Sequence, residues 1–192
     1  MYGPLVGITS QEGISKSRRK KMNGVELFQR SVGKWEGRRW YVYDNGDKVV
    51  RYTQFSNEVI SKDKFLFPEG ISVHHSFKVW NITEGKLENE METVLHACPK
   101  YTLRAVGYLG EESIECPITS VDNDMCRMIT EYKNGWKHME FFHFLAADVR
   151  ARNIRYDGIN CSGTFLENRV DEFPEVTPKN LLDLCVCHGE EI

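Results

Sequence analysis

The segment Trp136-Lys-His-Met-Glu-Phe-Phe-His-Phe-Leu-Ala-Ala-Asp-Val-Arg150-Ala-Arg152 brings one carboxylate, Glu140, close in sequence to two guanidinium groups, Arg150 and Arg152. An acid and a base facing each other inside an apolar β-structure suit a charged ligand with a large, flat, hydrophobic body. The guanidinium offers planar, paired donors to a ligand carboxylate. The carboxylate accepts N–H bonds and stabilises positive charge on a ring system. The competing reading is a buried ion pair that ties two strands together, since buried ions are nearly always paired.

The turns around this segment set its geometry. Asn134-Gly135 reads as a two-residue type I′ hairpin turn, in which both central residues take positive φ, and Asp157-Gly158 reads as the same device. A bend near Ala146–Asp148 folds residues 149–156 back on 136–145 and places Glu140 opposite Arg150. Arg152 shares side-chain parity with Arg150, so both point to one face.

The rest of the chain supplies many similar strands. Period-2 stretches run over 34–43, 48–60, 72–82, 87–97, 101–109, 112–119, 125–133, 136–145, 149–156 and 159–169, with turn residues between them. No helical crossovers interrupt this order, so the expected fold is all-β: an antiparallel up-and-down β-barrel, which removes the sheet edges by closure. A short helix over 24–32 precedes the strands, with Asn23 as N-cap, Glu26 at the capping-box spacing and Gly33 as the stop. Thr177-Pro178 opens a short C-terminal helix carrying Leu181, Leu182 and Leu184. The domain reading is a flexible basic leader over 1–22 and a single barrel over 23–192.

Composition excludes several functions. The formal net charge is −3, but residues 1–21 hold five basic side chains and one acid; the remainder carries 20 basic against 27 acidic groups. A surface of that sign does not suit nucleic acid. No stretch approaches the roughly 20 apolar residues of a membrane span, and the N-terminus lacks a secretory signal pattern. Six cysteines in 192 residues are too few for a disulfide scaffold and fit a reduced compartment.

Other candidate residues are weaker. Trp80 on strand 72–82 is a stacking surface for a flat ligand, with Phe77 on the opposite face by parity. His74 and His75 are adjacent on a strand and point apart, so they do not share a metal ion. Cys185-Val-Cys187-His188 lacks an evident fourth ligand for structural zinc. The expectation is no metal and no cofactor.

Gly33-Lys34-Trp35, straight after a short helix, resembles the G-x-W signature of the lipocalin and fatty-acid-binding-protein superfamily. Three segments together are more specific. Val25-Glu-Leu-Phe-Gln-Arg-Ser-Val-Gly-Lys-Trp35-Glu-Gly-Arg38, Thr130-Glu-Tyr-Lys133, and Glu140-Phe-Phe-His-Phe144 followed by Val149-Arg-Ala-Arg152 resemble the S-type phycobiliprotein lyases. Three positions depart from that pattern: Met139, Phe141 and His143 stand where the family often has Glu, Arg and Trp.

The resemblance implies a barrel that binds a linear tetrapyrrole, phycoerythrobilin being the expected one, and attaches it through a thioether to a cysteine of an apo-phycobiliprotein subunit. It implies catalytic Glu140 and Arg150, and ligand binding by Glu140, Arg150, Arg152 and Trp80. The bilin is then the substrate, the partners are bilin, apo-subunit and a second copy of the chain, and the compartment is a plastid or a cyanobacterial cytoplasm. The alternatives are a non-catalytic carrier of bilin, haem or fatty acid, or a chaperone-like lyase paralogue. For haem, His143 would have to reach the lumen, and its parity opposes that of Glu140.

Overall fold

The computed structural model describes residues 21–60, 70–104 and 113–186, with side chains to residue 184. Ten antiparallel strands close into a barrel in the order β1-β10-β9-β8-β7-β6-β5-β4-β3-β2. They are β1 Gly33–Tyr43, β2 Lys48–Val59, β3 Ile71–Asn81, β4 Lys86–Ala97, β5 Tyr101–Arg104, β6 Ile114–Ser120, β7 Met125–Glu131, β8 Lys137–Phe144, β9 Val149–Tyr156 and β10 Cys161–Val170. The expected all-β, up-and-down architecture is the one observed, and most boundaries fall within two residues of expectation. The second half of the expected strand 101–109 lies outside the described residues.

Helix α1, Gly24–Arg30, closes one end of the barrel. Asn23 caps it by accepting from the Glu26 amide at 3.0 Å. Leu27 and Phe28 are the face it turns inward. They join a core with Trp35, Phe55, Phe142 and Phe144, in which Trp35 stacks on Phe55 at 6.3 Å and meets Phe144 edge-on. Met22 already belongs to this core, fully buried, with its amide donating to Asp122 O at 3.1 Å. The rest of the expected leader, residues 1–20, lies outside the described residues.

The hairpin turns differ from the type I′ expectation. Gly135 has φ +84° but Asn134 does not take positive φ. The Gly135 amide donates to Tyr132 O at 2.9 Å, and the Tyr132 amide to Trp136 O at 2.9 Å. This is a type I turn closed by a glycine bulge, which achieves the same strand twist with a single left-handed residue. In the β9–β10 connection neither Asp157 nor Gly158 is left-handed; Asn160 takes that role at φ +45°.

Beyond β10 the chain crosses the outer wall. Gln54 Nε2 donates to Pro174 O at 2.8 Å, and α2, Leu181–Val186, seats Leu181 on Tyr52. Thr177 does cap this segment, since its carbonyl accepts from Asn180 and Leu181. The regular helix nevertheless starts at Leu181, later than Pro178, because a turn intervenes. Cys187 and His188 lie outside the described residues.

Candidate functional site

Alternation along the strands decides what enters the barrel. On β8, His138, Glu140, Phe142 and Phe144 are buried while Met139, Phe141 and His143 are not. On β9, Arg150 and Arg152 point inward together, as parity required. The register between these strands differs from expectation: Glu140 lies opposite Ile154, and Arg150 opposite Phe144. The bend lies where expected, but a turn centred near residue 147 pairs Phe144 with Arg150, so Glu140 and Arg150 lie four rungs apart and do not face each other.

Each finds another partner. Arg150 is the direct cross-strand neighbour of Glu167 on β10, and its Nε lies 2.8 Å from Glu167 Oε2. Glu140 accepts from Arg104 Nη2 at 2.9 Å and from Arg152 Nη1 at 3.3 Å. Arg152 spans both acids, with Nη2 2.9 Å from Glu167 Oε1. Neither the acid nor the base is alone: two carboxylates share three guanidiniums, all five side chains being at most 8% exposed.

These groups sit at two levels. Arg150 belongs to the closed floor. Its guanidinium lies 4.8 Å from the Trp35 ring centre and 5.1 Å from that of Phe55, and Nη1 donates to Ser31 Oγ at 2.7 Å at the end of α1. The void beside it measures about 30 Å³, room for a water molecule and not for a ligand. Arg169 covers the other approach to Trp35, at 4.8 Å.

Above the floor the lumen opens into a cavity of about 340 Å³, walled by Arg39, His75, His138, Glu140, Arg152 and Phe165 among others. A second cavity of about 300 Å³ adjoins it at the rim, under Tyr43, Tyr132, Trp136 and Ile159; Tyr41, Arg51 and Tyr156 line both. Both lie within the usual size of ligand pockets. Across the wall Arg51, Arg39, Phe165 and Arg152 are successive cross-strand partners on β2, β1, β10 and β9. Phe165 is thereby flanked by two guanidiniums, at 4.6 Å from Arg39 and 4.7 Å from Arg152. Among the described residues no carboxylate forms an ion pair with Arg39, whose charge acts on Glu167 only through space.

The electrostatics follow from this crowding of positive charge. Burial by itself would raise the Glu140 carboxyl, but His138, Arg104 and Arg152 outweigh it and hold it at about 2. Glu167 is likewise lowered, burial being overcome by Arg150 and Arg152. Burial and then Arg152, Arg104 and Arg39 push His75 down to about 3. Burial lowers His138 to about 4, with Glu140 opposing and Arg104, Arg152 and Arg39 adding to the fall. Both imidazoles are neutral at pH 7, so the wall carries an excess of positive charge that an anionic ligand would neutralise.

The fold of this chain is found in solved structures. An S-type phycobiliprotein lyase from Guillardia theta superposes with a TM-score of 0.61 at 18% identity, over 80% of this chain and 95% of that one. This chain shares the fold of that lyase. Rv2717c from M. tuberculosis superposes with a TM-score of 0.52 at 8% identity, over 79% and 99% of the two chains. No protein-family model matches the chain, and no curated protein matches it in sequence.

On this barrel the expected site residues separate. Glu140 and Arg152 line the cavity and Arg150 does not. Trp80 is on the outer wall, tilted against Tyr52 at 5.7 Å and packed with Leu181 and Val176. Phe77 is the member of that pair which faces the lumen. His74 points outward to Glu92 and His75 inward to Asn57, and His143 is on the outer face, as parity required. Arg39, Arg104, Glu167, His75 and His138 were not anticipated as site residues. For Arg39 a signal was present: it shares parity with Trp35 and Gly37 on the first strand.

Among the described residues no group of acids, histidines and cysteines is arranged to hold a metal ion. Cys98, Cys116, Cys126 and Cys161 are buried free thiols, and burial pushes Cys126 up to about 12. No described helix is long and apolar enough to cross a membrane.

Proposed function

We propose that the protein is a phycobiliprotein lyase that receives a linear tetrapyrrole in the upper lumen and presents it to a cysteine of an apo-phycobiliprotein subunit. The observation that carries this reading is the inner wall itself: Glu140, held ionised, lines the same cavity as Arg39, an arginine with which no carboxylate among the described residues forms an ion pair. A bilin has a flat conjugated body, pyrrole N–H groups and two propionates. Arg39, with Arg152 beside it, would take a propionate through paired charge-assisted bonds. Glu140 would accept pyrrole N–H bonds and stabilise a protonated ring system.

That polarisation favours attack by the acceptor thiolate. The cysteine adds across the exocyclic ethylidene double bond: the C–S bond forms at the ethylidene carbon, the thiol proton ends on the bilin, and nothing leaves. Holding the bilin with one face exposed contributes through orientation. Arg150 acts from beneath as a positioning residue, fixing Glu167 and through it Arg152. Trp80 stands outside this site. The bilin is substrate, no further cofactor is needed, and phycoerythrobilin in a plastid or cyanobacterial cytoplasm is the setting proposed.

Co-production with a bilin source and apo-subunits tests the reading, with covalent pigment read by zinc fluorescence on a denaturing gel. The expected result is acceptor labelling above the level seen without the protein. Glu140→Gln should lower transfer by about 100-fold, the scale of a lost acid–base or electrostatic group, while bilin still binds. Equal labelling with and without the protein would remove the enzymatic claim.

A haem carrier is the second reading, and one observation favours it. His75 lines the cavity as a neutral imidazole, with Nδ1 2.8 Å from Asn57 Oδ1, which leaves Nε2 as the ring nitrogen for an axial ligand. A Soret band on haem addition that His75→Ala abolishes would select it over the bilin reading.

A further inference from the structure

We propose that Arg51 is a second carboxylate-binding site at the barrel mouth, occupied in the free protein by the side chain of Glu88. The inference rests on the reading of the cavity as a site for a flat dicarboxylate, and it assigns the place of the second carboxylate.

Arg51 and Arg39 are direct cross-strand partners on β2 and β1, and both line the inner cavity. Like charges so placed repel, and among the described residues one carboxylate forms an ion pair with either of the two. It comes from Glu88, on β4, two strands away from β2. Val79 pairs with Asn89 and Trp80 with Leu87, which leaves Glu88 as the unpaired extra residue of a β-bulge. Bulges re-aim a side chain beside functional sites. Here the bulge brings Glu88 to the inner cavity, where Oε1 lies 2.7 Å from Arg51 Nη2 and Oε2 contacts Nε. Both donors of the Nε–Nη2 edge of the fork are therefore engaged, in the arrangement that a ligand carboxylate would adopt.

The position of this pair is what makes it a site and not a strand tie. Arg51 is a wall of both cavities, so its guanidinium stands where the inner chamber meets the aromatic slot at the rim. Its guanidinium carbon lies 5.1 Å from the Tyr41 ring centre, a cation–π contact that holds the side chain in place without Glu88. Glu88 is 34% exposed. An acid with that much access to water can leave for solvent at little cost, whereas Glu140 and Glu167 at 2% cannot. An incoming carboxylate thus replaces Glu88, keeps both Arg51 bonds, and also relieves Arg39.

The two carboxylates of one flat ligand would then be read by adjacent guanidiniums. A ligand without them has nothing to exchange for Glu88. Dicarboxylates are selected over neutral molecules of the same shape, such as esters.

Absorbance titrations of the full-length protein with biliverdin and with its dimethyl ester test this. Glu88→Gln should tighten biliverdin binding by about fivefold, because the competing carboxylate no longer masks the site most of the time, and should leave the ester unchanged. Arg51→Gln should weaken biliverdin by about tenfold, leave the ester unchanged, and cancel the gain in the double variant Glu88→Gln/Arg51→Gln. Biliverdin affinity that is unaltered by Glu88→Gln, or altered equally for acid and ester, overturns the carboxylate exchange alone. Wild-type protein that binds neither compound overturns the tetrapyrrole reading itself, and this inference with it.

Discussion

Arg150 and Glu167 face each other across β9 and β10, with both Nε and Nη2 of the arginine 2.8 Å from the same carboxylate oxygen. That contact lies below the cavity, among Trp35, Phe55, Phe142 and Phe144. It links the end of α1, through Ser31, to the last strand. The floor of the barrel is therefore held by an ion pair inside an aromatic box, and the open cavity begins one level higher, at Arg152.

Arg150→Gln should behave as a stability variant. It leaves Glu167 buried with one of its two arginines gone, a loss of about 3–5 kcal/mol when a buried pair is broken. Urea unfolding should show that loss, with part of it recovered in Arg150→Gln/Glu167→Gln. Bilin affinity of the folded fraction should change by only about twofold. A large affinity loss at unaltered stability would place Arg150 in contact with ligand.

Arg39→Gln should show the converse. Among the described residues no carboxylate forms an ion pair with Arg39, which faces Arg51 directly, so the repulsion relieved by its removal offsets the weaker through-space attraction to Glu167. Stability should stay within about 0.5 kcal/mol of wild type or rise. Biliverdin affinity should fall by about tenfold or more, the value of one charge-assisted bond. Parallel melts and absorbance titrations distinguish the two effects.

Stability should decline as pH falls from about 6.5 towards 4. His138 is held down to about 4 in the folded protein, by burial and by Arg104, Arg152 and Arg39 against the opposing Glu140. The unfolded chain, with an ordinary imidazole near 6.5, therefore binds the proton first, and each pH unit in that window removes up to about 1.4 kcal/mol per histidine. His75 acts with the same sign down to about 3. Glu140, lowered to about 2, loses its contribution only below the ordinary carboxylate range, so acid sensitivity above pH 4.5 belongs to the imidazoles. His138→Gln should lessen the fall in urea midpoint between pH 7 and 4.5 by about half, the remainder belonging to His75.

Trp80→Ala should loosen the C-terminal strap and spare the lumen. The indole lies against Tyr52, Val176 and Leu181 on the outer wall, and losing a half-buried large side chain costs about 1–3 kcal/mol. Limited proteolysis should cut sooner near residues 171–186, while the bilin absorbance spectrum stays as in wild type. A shifted spectrum would bring Trp80 back to the ligand.

What the amino-acid order determined by itself was everything local. Alternation with period 2 is imposed by the strand backbone, so the ten strands, the inward side of Glu140, Arg150 and Arg152, and the outward side of His143 could be read residue by residue. Capping at Asn23 and the breaks at Gly33 and Gly135 are equally local. Tertiary structure alone decided which inward side chains meet. Arg150 meets Glu167 across β10 and not Glu140 on β8, and parity, which fixes only the face, does not choose between two inward acids on neighbouring strands. Arg104 reaches Glu140 from 36 residues away, because barrel closure brings β5 across the lumen. The bulge at Glu88 breaks the alternation itself, and Trp80, beside it, falls to the outer wall under a C-terminal segment whose path depends on what the closed barrel leaves exposed. Side-chain direction is a property of one strand, whereas pairing between charges is a property of stagger between strands, and stagger is settled only when the sheet closes.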